Sequence, residues 1–159
     1  MKEPVFVSPA EIAASRAAAK RVKDEVYDLG LTYHIESYGC QMNEHDSEKI
    51  AGMMEEMGYA KAEDKSKADF IIFNTCCIRE HAEQRVYGNI GALKKRKDEN
   101  PQLMIGVCGC MMQQKHIADK IKKSYPFVDL VFGTHVVYKL PQLLFEALTR
   151  KKRVFELPD

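Results

Sequence analysis

The segment Phe70–Cys76, FIIFNTC, decides the architecture, because four large apolar residues run into a polar pair and a cysteine. A run this short and this apolar is typical of a strand that is buried on both faces, as the strands of parallel sheets are. Two further segments, Tyr33–Cys40 and Leu103–Cys110, also lead from a short apolar run to a cysteine. A pattern typical of a helix follows each cysteine. This alternation predicts a parallel sheet covered by helices.

Periodicity and end signals extend this alternation along the chain. Strands are predicted at 32–37, 69–74, 103–107 and 127–132, and a polar loop at 61–67. Helices are predicted at 9–27, from 43 to the stop at Gly58, at 79–97, from the third strand to 123, and at 140–148. The predicted fold is α/β, of flavodoxin or Rossmann type, with a parallel sheet of about four strands, helices on both faces and an N-terminal helix.

Two helix starts carry recognisable capping residues. Ser8 is the predicted N-cap of the first helix, and Asn43 is the predicted N-cap of the second. The first helix has small apolar residues that predict light packing on the body: Ile12, Ala13 and Ala17. The second helix has an apolar stripe at helical spacing that predicts a core face: Ile50, Met53, Met54 and Met57.

Composition places the chain among ordinary globular domains. Its 159 residues, 45% apolar and 30% charged, suffice for one domain with its own core. A net charge of +1 gives no overall basic field of the kind that attracts nucleic acids. No apolar run is long enough to span a bilayer, and the N-terminus lacks the apolar core of a secretory signal. We therefore expect a cytoplasmic protein with reduced thiols and no membrane partner.

Five cysteines, an odd number, do not suggest a disulfide framework. In a parallel sheet the strands end at one edge, where Cys40, Cys76 and Cys110 would converge. Three converging thiolates suit soft metals and iron–sulfur clusters, and they leave one iron of a 4Fe–4S cluster open to an exogenous sulfur species. Two cysteines stand close to predicted ligands, Cys77 beside Cys76 and Cys108 near Cys110, and in each pair one residue is predicted to bind and the other to pack.

Other functions remain open on the residues alone. A nucleotide- or flavin-binding module without metal suits the fold, although no G-x-G-x-x-G motif or P-loop is present. A zinc-binding or redox-regulatory domain could use the paired cysteines at 76–77 and 108–110. A simple interaction domain would bury all its cysteines and hold no metal.

Three ordered motifs resemble the N-terminal domain of the tRNA methylthiotransferases: YGCQMN at 38–43, NTCCIRE at 74–80 and GCM at 109–111. The first motif is most similar to the MiaB type, which acts on isopentenyladenosine beside the anticodon. Branches that act on threonylcarbamoyl-adenosine or on a ribosomal-protein aspartate are the alternatives. The chain is accordingly divided into a helical extension at 1–29, a cluster domain at 30–148 and a linker at 149–159.

The resemblance implies an auxiliary 4Fe–4S cluster on Cys40, Cys76 and Cys110, with Cys77 and Cys108 as non-ligands. Four other residues match motif positions, and each either serves the site or caps a helix or pairs at the surface: Asn43, Asn74, Arg79 and Glu80.

The resemblance also implies a longer enzyme. Family members carry a radical-SAM domain with a Cys-x-x-x-Cys-x-x-Cys motif, a second 4Fe–4S cluster and S-adenosylmethionine, followed by an RNA-binding TRAM domain. No cysteine lies beyond Cys110, so that motif is absent here, and we expect this piece to be inactive alone. The expected partners are those two domains, the tRNA substrate bound through them, and sulfur and iron-cluster donors. In the parent enzyme a deoxyadenosyl radical would abstract hydrogen from C2 of the adenine, and this domain would supply the sulfur.

Overall fold

The computed structural model describes residues 7–38, 41–76 and 82–158, without the side chains of 41, 42 and 82. Strands are β1 Thr32–Ser37, β2 Ala60–Lys61, β3 Phe70–Thr75, β4 Met104–Gly109, β5 Leu130–Phe132 and β6 Val154–Glu156. Helices are α1 Pro9–Val26, α2 Gln41–Glu56, α3 Ala82–Gly91, α4 Lys94–Glu99, α5 Lys115–Ser124 and α6 Leu140–Arg150. Short 3₁₀ segments lie at Lys65–Lys67, Cys110–Gln113 and Thr134–Lys139.

The strands within these ranges form one parallel sheet of six, in the order β2-β1-β3-β4-β5-β6. The predicted α/β class, parallel sheet and N-terminal helix are confirmed, but the prediction of about four strands is wrong. The two additional strands are β2, which has two residues, and β6, which has three. Segments this short carry no readable alternation, so the sequence places Lys61 of β2 in a polar loop and β6 in a linker.

Helices cover both faces of the sheet, as predicted. One apolar core joins α1, α2 and α6 to the sheet and includes Val22, Ile50, Met54 and Leu144. The opposite core joins α3 and α5 to the sheet, and Ile121 lies in it. Alternate residues along each central strand enter opposite cores, which is the pattern of a sheet buried on both sides. None of the helices in the described ranges is both long enough and apolar enough to cross a membrane.

Helix α1 begins as predicted but packs through a different face. The Ser8 hydroxyl accepts a hydrogen bond from the Glu11 N–H, and the Glu11 carboxylate accepts one from the Ser8 N–H, which forms a complete capping box. The predicted face is wrong, because Ile12 is 44% exposed and Ala13 and Ala17 also face solvent. The buried face is instead Ala18, Ala19, Val22 and Val26. An alanine-rich helix offers little apolar contrast between its faces, so periodicity could not select the buried one.

Helix α2 corrects the capping prediction. It begins at Gln41, so Asn43 lies inside its first turn and is not its N-cap. The predicted core stripe is confirmed, since Ile50, Met54 and Met57 are fully buried and Met53 packs against them. The predicted stop is confirmed too, because Gly58 adopts a φ of +91° directly after the helix.

The single helix predicted at 79–97 is two helices, α3 and α4, and residues 79–81 lie outside the described residues. Leu93 donates its N–H to the carbonyl of Ile90, a tight turn that separates the two helices. Beyond the turn, the Arg96 guanidinium donates to the carbonyls of Lys65 and Ala68, which ties α4 to the segment before β3. These long-range contacts redirect the chain in a way that local periodicity does not encode.

Candidate functional site

The carboxyl ends of β1, β3 and β4 form one edge of the sheet, and Cys76 and Cys110 lie there. The strand order reverses between β1 and β3, because β2 lies on one side of β1 and β3 on the other. In open parallel sheets a crevice forms at such a reversal, outside the carboxyl ends of the strands, and ligands bind there. The edge is therefore the expected location of a site, whatever its chemistry.

The register between β3 and β4 places two of the predicted ligands at the ends of adjacent strands. Thr75 of β3 pairs with Gly109 of β4, the last pair between these strands. Cys76 is the residue after Thr75, and Cys110 is the residue after Gly109. Neighbouring strands in a sheet lie about 4.8 Å apart. Cys76 is buried, whereas Cys110 is partly exposed at the start of a 3₁₀ turn. The edge therefore brings these two positions together at the ends of adjacent strands.

The third predicted ligand, Cys40, lies outside the described residues, as do Cys77, Arg79 and Glu80. Its described neighbours are fixed on both sides. The Tyr38 N–H donates to the Asn74 carbonyl at 3.1 Å, and the Tyr38 hydroxyl accepts from the Asn89 amide at 2.7 Å. Helix α2 begins at Gln41, so the end of β1 and the start of α2 lie on either side of Cys40 in the sequence.

Gly109 gives the loop before Cys110 a shape that only glycine allows. Its φ is +103° with ψ near −173°, a region that residues with a side chain avoid. A Cβ atom at this position would lie 2.3 Å from the Thr75 carbonyl oxygen and 2.7 Å from the Thr75 nitrogen. The missing side chain thus lets the backbone before Cys110 close tightly against the backbone before Cys76.

A hydroxyl accompanies the Cys110 thiol. Thr134, in the segment after β5, places its Oγ1 at 3.9 Å from the Cys110 Sγ and acts as donor to the sulfur. Hydrogen bonds to ligand sulfurs influence the potential of iron–sulfur centres. Thr134 also lines a cleft of about 460 Å³ between α2 and residues 134–138, whose wall includes Asp46, Lys49 and His135.

Cys108 occupies a different environment from its neighbour Cys110. Its side chain is fully buried in the core formed with α1, α2 and α6, and its Sγ lies 3.8 Å from the Asn74 Oδ1. Burial raises the pKa of the Cys108 thiol far above its ordinary value, and the charge of Asp46 raises it further. Cys108 therefore packs as a core residue in this structure.

A hydrogen-bond network of side chains joins the elements at this edge, and the sequence did not predict it. The Asn43 Nδ2 donates to the carbonyls of Asn74 and Thr75 at 3.2 and 3.0 Å. In return, the Asn74 Nδ2 donates to the Asn43 carbonyl at 2.8 Å and to the Ser47 Oγ at 2.9 Å. The Thr75 hydroxyl donates to the Cys108 carbonyl at 2.7 Å. In the sequence, Asn43 and Asn74 match motif positions and Thr75 stands beside a cysteine, but no pattern indicates which partners these side chains bond.

The donors at this edge suit a soft metal centre in chemical type. Two thiols follow adjacent strands, a hydroxyl donates to one of them, and the glycine before it permits close backbone approach. The described ranges, which do not include Cys40, hold no group of three or more His, Cys, Asp and Glu side chains arranged to bind a metal. The described residues thus provide two members of the predicted three-cysteine set.

Comparison with known proteins agrees with the sequence motifs. Residues 32–133 match the family described as "Uncharacterized protein family UPF0004". The tRNA-2-methylthio-N(6)-dimethylallyladenosine synthase of Caldicellulosiruptor saccharolyticus is 59% identical over 128 residues, covering 80% of this chain and 27% of that protein. The protein of the same name from Thermoanaerobacter sp. strain X514 is 48% identical over 157 residues, 99% of this chain and 33% of that protein. The one from Acetivibrio thermocellus is 45% identical over 164 residues, 99% of this chain and 34% of that protein.

These relatives are much longer than the chain, which spans between 27% and 34% of their lengths. The family match covers the strands β1 to β5 and therefore the whole edge that carries the predicted cysteines. Family, motifs and fold agree: the chain belongs to the UPF0004 family and is an N-terminal domain of the MiaB type of methylthiotransferase.

Proposed function

We propose that this chain is the cluster-bearing domain of a tRNA methylthiotransferase and that Cys40, Cys76 and Cys110 hold an auxiliary 4Fe–4S cluster. One observation carries the proposal: Cys76 and Cys110 directly follow the paired residues Thr75 and Gly109, at the edge where parallel sheets bind ligands. The substrate is the tRNA adenosine that carries an N6-dimethylallyl (isopentenyl) group beside the anticodon. The names of the relatives support this branch over those that act on other substrates.

The residues of this chain have distinct tasks in that function. The cluster would present the sulfur species that becomes attached to C2 of the adenine. The thiolates of Cys40, Cys76 and Cys110 would hold the cluster and leave one iron open to that exogenous sulfur species. Thr134 donates to the Cys110 sulfur, which helps to stabilise negative charge there. Cys108 is packed in the apolar core and takes no part in binding.

The remaining chemistry belongs to other parts of a longer enzyme. A radical-SAM domain with its own 4Fe–4S cluster and S-adenosylmethionine would activate C2, and a TRAM domain would bind the tRNA. The proposed partners are these domains, the tRNA and donors of sulfur and iron, in the cytoplasm. This chain alone would bind the cluster without catalysing methylthiolation.

A zinc or redox site on the paired cysteines at 76–77 and 108–110 is the alternative in another class. The core position of Cys108 argues against it, because a fully buried thiol among apolar side chains cannot join an exposed metal site without unpacking the core. Stoichiometric zinc bound by tetrahedral thiolates would support that alternative.

Single cysteine substitutions test the ligand assignment. The chain is reconstituted anaerobically with iron and sulfide, then analysed for iron, sulfide and the EPR signal after reduction. Cys40→Ala, Cys76→Ala and Cys110→Ala are each expected to lose stable cluster assembly, because two thiolates cannot replace three. Cys77→Ala and Cys108→Ala are the matched controls and are expected to retain it. Full cluster content in Cys76→Ala would refute the assignment.

A further inference from the structure

The network around Asn43 connects the three segments that carry the predicted ligands. Asn43 is in the first turn of α2, three residues after Cys40, and its amide bonds to the last two carbonyls of β3, just before Cys76. The Thr75 hydroxyl then joins β3 to β4 by donating to the carbonyl of Cys108, two residues before Cys110. Each of these contacts joins residues more than thirty positions apart in the sequence.

The orientation of the Asn43 amide is determined by its partners. Two carbonyl oxygens face the Nδ2, so the opposite orientation would place the Oδ1 against two acceptors. Asn43 is 6% exposed, and its Oδ1 has no hydrogen-bond partner in the described part of the chain. A buried acceptor without a donor costs stability, and an apolar residue would avoid this cost. What the amide contributes is therefore its pair of donated bonds to the end of β3.

We propose that Asn43 and Thr75 are positioning residues, which hold the start of α2 and the ends of β3 and β4 together so that the Cys76 and Cys110 thiols are in place before any metal binds. Preorganised ligands bind a metal more tightly, because less conformational freedom is lost on binding. The inference rests on the proposed function for the choice of thiols. The placement of the thiols in the metal-free protein can be tested without iron.

Trivalent arsenic is the probe, because arsenite condenses with three thiols to give a trithiolate arsenic and three waters, without iron, sulfide or electrons. Arsenite affinity of the reduced, anaerobic chain is measured by the absorbance of the arsenic–thiolate bonds. Asn43→Ala and Thr75→Val are expected to weaken binding about tenfold or more, as is typical when residues that orient metal ligands are lost. Asn43→Asp should weaken it at least as much, because its carboxylate would face the two carbonyls.

Two matched variants separate positioning from general stability. Thr75→Ser keeps the hydroxyl that donates to the Cys108 carbonyl, so it is expected to restore affinity that Thr75→Val loses. Ile121→Val removes a methyl group from the core on the other face of the sheet, and it is expected to lower stability without changing arsenite affinity. Urea unfolding of every variant checks that the comparison is made between folded proteins.

The outcomes separate this inference from the proposed function. Equal arsenite affinity in wild type, Asn43→Ala and Thr75→Val would overturn the positioning role even if the wild type assembles a cluster. Loss of affinity in Ile121→Val to the same extent would also overturn it, because the effect would then follow stability alone. A wild-type chain that binds arsenite in a manner dependent on Asn43 and Thr75 but assembles no cluster would support this inference and refute the proposed function.

Discussion

Gly109 is the residue on which the shape of the edge depends most directly. Its backbone lies in a region that side chains avoid, and a Cβ would meet the Thr75 carbonyl at 2.3 Å. We predict that Gly109→Ala lowers the free energy of unfolding by about 2 kcal/mol or more. Gly88→Ala in α3 is the control, because a Cβ at position 88 would have no atom within 4 Å. This substitution should stabilise the protein by about 0.5–1 kcal/mol. Urea unfolding measures both, and equal stability of Gly109→Ala and wild type would contradict the close backbone contact.

Asp46 makes the stability of the fold depend on pH. Burial raises the pKa of the Asp46 carboxyl above its ordinary value of 3.8, although Lys49 and His45 offset part of the effect. The folded state therefore binds this proton more tightly than the unfolded state, and the contribution of Asp46 to stability falls as the pH rises from about 3.8 through the folded-state pKa. Asp46→Asn should thus exceed wild type in stability at pH 7, with a smaller advantage at pH 4. Urea unfolding at both pH values would contradict this if the advantage shrank with rising pH.

Sequence reasoning about individual residues worked where a residue has a local task. Ser8 and Gly58 act on the backbone next to them, so their roles as cap and stop were predictable. Asn43 is a residue type that commonly caps helices, but its hydrogen-bond partners are carbonyls more than thirty residues away. The position of Cys76 and Cys110 after strands followed from the apolar runs, whereas the placement of Cys40 stays a prediction.

Two substitutions in helix α1 test which of its faces packs on the sheet. Val22 is fully buried, whereas Ile12 is 44% exposed. Val22→Ala is predicted to lower the free energy of unfolding by about 1.5–3 kcal/mol, through lost burial and the cavity left behind. Ile12→Ala, on the face that the sequence analysis expected to pack, should change it by less than about 0.5 kcal/mol. Thermal or urea unfolding that ranks the two variants in the opposite order would contradict the observed face.

Strand β6 is held at the edge of the sheet by Arg153, just before it. The guanidinium donates to the carbonyls of Val128 at 2.7 Å, Lys122 at 2.9 Å and Tyr125 at 3.1 Å, two of which lie at the end of α5. Arg153→Lys cannot reproduce this fork, so we predict a loss of about 1–3 kcal/mol in urea unfolding. Lys152→Ala, an exposed neighbour, should have little effect. A loss below about 0.5 kcal/mol in Arg153→Lys would show that water replaces the missing bonds.

Elements were predictable from the sequence in proportion to their length and apolar contrast. β1, β3 and β4 combine an apolar run with a clear end, and each was predicted within two residues of its observed bounds. β2 and β6 are too short for a pattern, and they are strands because β1 and β5 offer them an edge to pair with. The division between α3 and α4 depends on contacts of Arg96 with a distant segment, which no local pattern contains.

The molecule as a whole is a sheet with two covered faces and one edge on which the cysteine-bearing segments end. Its fold follows from apolar burial on both faces, and its site follows from the strand order that brings β1, β3 and β4 together. The chain spans about a third of the length of its relatives, and chemistry on the tRNA is proposed only for a longer enzyme that contains it. For this chain we propose that three thiolates hold one cluster and leave one iron open.

EPR of the reconstituted and reduced wild-type chain, recorded with and without added methanethiol, tests that claim most directly. About four irons per chain and a 4Fe–4S signal that shifts when methanethiol is added are the predicted result, because an iron without a protein ligand accepts an exogenous thiolate. A 4Fe–4S signal that methanethiol leaves unchanged would contradict the open iron. A chain that takes up no iron would contradict the cluster itself.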